Sequence, residues 1–265
     1  MIGAIFGDIV GSRYEFRNTK TKNFELFSKG CHFTDDSVMT LAVANALLQY
    51  DRSQNLNIFQ DILITSMHTY GNAYPYAGYG GNFSWWLIKK SRVPYQSFGN
   101  GSAMRVSPVA WYANSLEEAI SLAKASAEVT HNHPEGIKGA VVTAGAAYLA
   151  RTGASKEEIR EFVEAYYTLN FTLDEIRPTY TFDVSCQGSV PQAMQAFLES
   201  VSFEDAIRNA VSIGGDSDTI AAITGAVAEA FYGMTEEQKE KAQSYLSDSL
   251  RKTVSEFDGK YKSKA

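Results

Sequence analysis

Apolar residues along this chain recur mostly at the spacing of one helix face. Val38, Leu41, Ala42, Ala44 and Leu48 fall close to the i, i+3, i+4, i+7 pattern, and Ala242, Tyr245, Leu246, Leu250, Val254 and Phe257 repeat it near the C-terminus. Helix starts are written beside such runs. Ser115 with Glu118, Ser155 with Glu158, Thr172 with Glu175 and Thr235 with Gln238 have the spacing of a capping box, and Ser202 with Asp205 is a shorter-armed version. Period-two alternation is scarce, and residues 179–185 are its best instance. Small residues crowd two predicted helices, Gly139, Ala140, Ala144 and Ala147 in one and Ala221, Ala222, Gly225 and Ala226 in the other, which lets helices approach closely. The pattern predicts an all-α fold. No linker, low-complexity tract or repeat interrupts it, so residues 1–265 read as one compact multi-helix domain with 258–265 as a frayed tail.

Composition narrows the function classes. With 265 residues the chain can bury a full core, so neither disulfides nor a structural metal is needed for folding. Cys31 and Cys186 stand alone, without the paired spacing of a thiolate site. A net charge of −6 argues against unspecific binding to nucleic acid or an anionic membrane. Asp8 interrupts the apolar opening, against a secretory signal, and the longest apolar run, 140–150, is too short to span a bilayer. These features predict a soluble, reduced, cytoplasmic protein with no membrane partner.

Three glycine-rich stretches, 3–11, 70–82 and 96–104, read as irregular connectors between helices. Loops on a rigid scaffold are where binding and catalysis concentrate. The sharpest chemistry lies at two helix starts, Thr34-Asp35-Asp36-Ser37 and Gly214-Gly215-Asp216-Ser217-Asp218-Thr219. Helix capping accounts for one oxygen-bearing side chain at each. The spare carboxylates would repel one another unless a cation lies between them. Carboxylates with Thr hydroxyls are hard oxygen ligands, suited to Mg²⁺, Mn²⁺ or Ca²⁺, and they fit a two-ion site if the helix starts converge. Neither cluster has the EF-hand spacing. Residues 62–116 carry no Asp or Glu but hold Lys89, Lys90, Arg92 and Arg105, as though making room for an anion.

Five blocks in order resemble the ADP-ribosylglycohydrolases, the family of the dinitrogenase-reductase-activating glycohydrolase and the vertebrate ADP-ribosylhydrolases. They are Gly7-Asp8-Ile9-Val10-Gly11-Ser12-Arg13-Tyr14-Glu15, Thr34-Asp35-Asp36-Ser37, Phe98-Gly99-Asn100-Gly101-Ser102-Ala103-Met104-Arg105, Thr130-His131, and Gly214-Gly215-Asp216-Ser217-Asp218-Thr219. The resemblance implies an all-α fold with two Mg²⁺ or Mn²⁺ ions at the bottom of a cleft. Carried over by position, Thr34, Asp35, Asp36, Asp216, Asp218 and Thr219 would ligate the metals. Glu15 would be the acid/base or water-positioning group, with Asp216 second, and Asp8 would brace the ligands. Ser97, Phe98, Gly99, Asn100, Gly101, Met104 and His131 would hold ADP-ribose, with the backbone amides of residues 99–101 cradling its pyrophosphate.

The implied activity is hydrolysis of the bond between C1 of the terminal ribose and an acceptor. The ordinary solution to such a bond is a carboxyl pair acting on an oxocarbenium-like transition state. The alternatives are an inactive ADP-ribose-binding relative and a metal-dependent phosphohydrolase. Nucleic acid enters as a partner only if it carries ADP-ribose. His133, before Pro134, reads as a helix start. Tyr74, Tyr76, Tyr79, Trp85 and Trp86 read chiefly as packing residues. Two departures bear on the acceptor: residues 70–82 lack the extra acid of some arginine-directed relatives, and residues 11–15 look closer to the serine-directed branch.

Overall fold

The computed structural model describes residues 1–261, and among them the regular elements are all helices. The first six are α1 (Ile2–Ser12), α2 (Asp35–Gln49), α3 (Leu56–Ala73), α4 (Gly81–Ile88), α5 (Gly101–Met104) and α6 (Ser107–Tyr112). Then come α7 (Leu116–Glu128), α8 (Pro134–Arg151), α9 (Lys156–Glu164), α10 (Leu173–Ile176) and α11 (Cys186–Leu198). The chain closes with α12 (Phe203–Ser212), α13 (Ser217–Tyr232), α14 (Glu236–Gln243) and α15 (Asp248–Tyr261). None is long and apolar enough to cross a membrane.

The predicted starts are where the hydroxyls stand. Ser155, Thr172 and Thr235 form complete capping boxes, and Ser115 and Ser202 accept the N–H three residues on. His133 caps α8, accepting from Glu135 N at 3.1 Å.

The centre is α13, buried from Ser217 to Glu229, and along it lies α1, buried throughout. Residues 3–11 are therefore helical, not the irregular connector that their glycines suggest. Gly3, Gly7 and Gly11 recur every four residues and form one stripe against α13. A Cβ on Gly7 would stand 2.0 Å from the Ala221 carbonyl oxygen, and one on Gly11 would stand 2.4 Å from that of Ser217. Glycine in a helix costs roughly 1 kcal/mol. Here it allows backbone-to-backbone contact, which sets the C-terminal end of α1 directly on the first turn of α13. Around α13 pack α8, α11 and α12; α2 packs on α3 and α15.

Other expectations shift in detail. The C-terminal apolar pattern divides between α14 and α15, with Tyr245 and Leu246 in the link. Residues 179–185 form no strand; Ser185 makes one isolated bridge to Gly99. Of the tail expected to fray, 258–261 continue α15, where the Tyr261 hydroxyl donates to Leu47 O at 3.1 Å; 262–265 lie outside the described residues.

Candidate active site

The two acid-bearing helix starts meet at the floor of one cleft of about 380 Å³. Its lining includes Glu15, Asp35, Asp36, Asp216, Asp218 and Thr219, joined by Ser97, Gly99, Asn100, Gly101, Met104 and His131. Carboxylate oxygens of Glu15, Asp216 and Asp218 lie within 4.8 Å of one another. The Thr219 hydroxyl reaches across to Asp36 Oδ1 at 3.2 Å, linking the start of α13 to that of α2.

Capping does not consume these acids. At α2 the cap is Thr34, which accepts from Asp36 N at 3.3 Å and leaves both carboxylates free. At α13 Asp216 stands at the N-cap and makes no side-chain cap bond. It accepts instead from Asn100 Nδ2 at 2.7 Å. Beneath the floor, fully buried Asp8 accepts from Thr34 N at 2.9 Å, Thr34 Oγ1 at 2.7 Å, Ser37 N at 3.0 Å and the Ser37 hydroxyl. The carboxylate of α1 thus seats the first turn of α2.

The electrostatics are those of too many buried acids. Burial and then the neighbouring carboxylates push Asp35 up to about 8 and Glu15 up to about 7. Asp36 and Asp218 are raised well above the carboxylate range for the same two reasons, and burial raises Asp8 and Asp216 against the hydrogen bonds they accept. Among the described residues no Lys or Arg pairs with any of the six. Asp36 Oδ2 is buried and has no hydrogen-bond partner among the described residues. An oxygen-only donor set with an orphaned buried carboxylate oxygen fits a hard divalent cation.

The remaining expected residues fall unevenly. Thr34 is outside the cleft lining, its hydroxyl engaged by Asp8 and Asp36 N. Phe98 is also outside; its ring is half exposed and packs on His133 at 5.5 Å. The expected amide cradle is largely spent: Gly99 N donates to Ser97 Oγ at 3.2 Å and Asn100 N to Val184 O at 2.8 Å. His131 is buried, and burial, then Arg105, holds its pKa well below the usual range, so the ring is neutral. Its Nδ1 meets Thr130 Oγ1 at 2.7 Å, and that hydroxyl accepts from Arg105 at 2.9 Å. This contact holds the ring with Nε2 facing Gly99 and Gly101. Of the cations in the acid-free stretch only Arg105 lines the cleft, and Arg92 pairs with Asp61 on the surface. Of the five packing aromatics none lines it; Trp86 stacks on His68 at 4.2 Å.

Sequence reasoning missed several residues of the cleft. Tyr95, Phe182 and Val184 line it, as do Gly78, Gly80, Gly81, Asn82 and Phe83. The half-alternating run 179–185 and the glycines of 70–82 were the available signals.

A family model of the ADP-ribosylglycohydrolases matches residues 1–254, and the chain belongs to that family. It is 25% identical to the ADP-ribosylhydrolase ARH3 of Homo sapiens over 88% of this chain and 84% of that protein. It is 26% identical to the ADP-ribosylarginine hydrolase of Pseudomonas putida over 89% of this chain and 70% of that one. A solved structure described as an ADP-ribosylglycohydrolase-related protein complex superposes with a TM-score of 0.66 at 22% identity, covering 92% of this chain and 94% of its own. The likeness in fold extends over nearly the whole described domain.

Proposed function

We propose that this protein hydrolyses the bond between C1 of the terminal ribose of ADP-ribose and an acceptor, releasing free ADP-ribose. The observation that carries the reading is the convergence of two acid pairs that capping does not consume, from distant parts of the chain, beside an Asp36 oxygen without a hydrogen-bond partner among the described residues, in one cleft. Asp35, Asp36, Asp216, Asp218 and Thr219 would hold two Mg²⁺ or Mn²⁺ ions, with Thr34 adding its remaining lone pair at the edge of the set. Bound there, the cations supply Lewis acidity and neutralise the carboxylates.

The chain's own residues do the rest. Glu15 takes the proton from the water that attacks C1, and the proton then passes to the departing acceptor. Among the described residues its carboxylate accepts no hydrogen bond, whereas Asp216 is held by Asn100. A carboxylate that no neighbouring side chain holds can take and give a proton without breaking another contact, which favours Glu15 over Asp216. His131 Nε2, Ser97 and Met104 position the ADP-ribose. Phe98 stands at the lip, on His133, where a base can stack. The wall at residues 78–83 offers no carboxylate to an arginine guanidinium, which favours a serine-type acceptor.

A panel of serine-, arginine- and nucleobase-linked ADP-ribosyl substrates, read by mass spectrometry, tests this. Free ADP-ribose is the expected product. Release of phosphate or AMP would establish the phosphohydrolase alternative, and binding without turnover the inactive one.

A further inference from the structure

Glu15 lies in the segment that follows α1, where no helix fixes its backbone. A side chain three residues on ties it to the start of α13. Asn18 Nδ2 donates to Tyr14 O at 2.7 Å, to Glu15 O at 3.0 Å and, across the cleft wall, to Gly215 O at 3.0 Å. Asn18 Oδ1 accepts from Gly215 N at 2.9 Å. An amide that gives to and takes from the same residue fixes both distance and rotation, as a neighbouring strand would.

Gly215 is the residue before Asp216. It has φ of +76°, and a Cβ there would stand 2.3 Å from the Tyr180 ring, so only glycine lets the turn pass this close to Tyr180. Lys20 anchors the same segment further out, donating to Tyr180 O at 2.6 Å and to Ile213 O.

We propose that Asn18 is a positioning residue for the reaction: it clasps the backbone of Glu15 to that of Gly215 and so sets the Glu15 carboxylate against Asp216 and Asp218. The inference rests on the reading of Glu15 as the proton-transferring group. Asn18 touches neither substrate nor the reacting carbon in this account; it acts through Glu15. Its side chain is exposed, so truncation opens no cavity in the core. Small displacements of a reacting group are costly, about 10²-fold for roughly 1 Å.

The test compares Asn18→Ala, Glu15→Gln and the double variant, using the substrate that the wild-type chain turns over fastest in the acceptor panel. Asn18→Ala is expected to lower kcat roughly 10- to 100-fold while ADP-ribose affinity, measured calorimetrically, stays within about threefold. Glu15→Gln is expected to lower kcat about 10²- to 10⁴-fold. The double variant should be no slower than Glu15→Gln alone, because the clasp has nothing left to position. Amide exchange at Gly215 should quicken in Asn18→Ala, since that N–H loses its acceptor.

Wild-type kcat in Asn18→Ala beside a slow Glu15→Gln would overturn the positioning role. Losses that multiply in the double variant, or unchanged exchange at Gly215, would overturn it too. Wild-type kcat in Glu15→Gln would instead sink the reading of Glu15, and the positioning role with it.

Discussion

The two helix starts that meet at the cleft floor carry similar acids and are built in opposite ways. At α2 the acids are seated from below: Thr34 caps the helix, and Asp8 on α1 binds both Thr34 and Ser37. At α13 the N-cap residue Asp216 makes no side-chain cap bond, and the chain enters through Gly214 and Gly215 at φ of +72° and +76°. That turn is held from the sides by Asn18 and Asn100, which arrive from distant loops. One acid pair rests on buried hydrogen bonds and the other on a turn that only glycine enters readily. The first should therefore fail as stability and the second as geometry.

The largest effect is expected below α2. Asp8→Ala leaves the buried donors of Thr34 and Ser37 without their acceptor, and each unmade bond of this kind costs roughly 1–3 kcal/mol. A loss of about 3 kcal/mol or more in urea unfolding is the expected result. A loss under about 1 kcal/mol would mean that the α1–α2 tie does not hold the floor.

At the other start the comparison sharpens within one turn. Gly215→Ala meets both a positive φ and the Tyr180 ring, whereas an added Cβ on Gly214 first meets the flexible end of Lys20, at 2.9 Å, and then Asn18. Gly215→Ala should cost about 2 kcal/mol and slow turnover further by moving Asp216. Gly214→Ala should cost less, about 1 kcal/mol for the backbone plus a small displacement of Lys20 and Asn18. Equal losses of stability and kcat in the two variants would contradict the packing described at Tyr180.

At Asn100 the effect should fall on turnover more than on stability. Its amide bonds Asp216 Oδ2 at 2.7 Å and Ser189 Oγ at 3.0 Å. Asn100→Ala should cost about 1–2 kcal/mol. It should lower kcat more than it raises KM, because the amide orients an acid of the floor. A pure rise in KM would return Asn100 to the ligand-binding role that its loop suggests.

What the sequence made legible was local. Hydroxyl and acid at a spacing of three marks a capping box because both partners lie in one turn, and Ser155, Thr172 and Thr235 form theirs. The acid pairs were legible too, since charge crowding at a helix start exceeds what capping requires. What stayed hidden depended on partners far along the chain. Gly3, Gly7 and Gly11 look like a loop because their local preference is for one; their meaning is the backbone of α13. The amide of Asn100 looks free to bind an anion until Val184 O is found on it. Nothing near Asn18 in sequence announces Gly215.

The claim on which the rest stands is that both acid pairs serve one cation site. Thermal unfolding with and without Mg²⁺ or Mn²⁺ tests it most directly, in the wild-type chain, Asp35→Ala and Asp218→Ala. An ion that binds only the folded chain raises Tm by mass action. The shift is expected in the wild-type chain and should vanish in both variants, although the two substitutions lie at opposite ends of the sequence. A full wild-type shift retained by either variant would contradict the shared site.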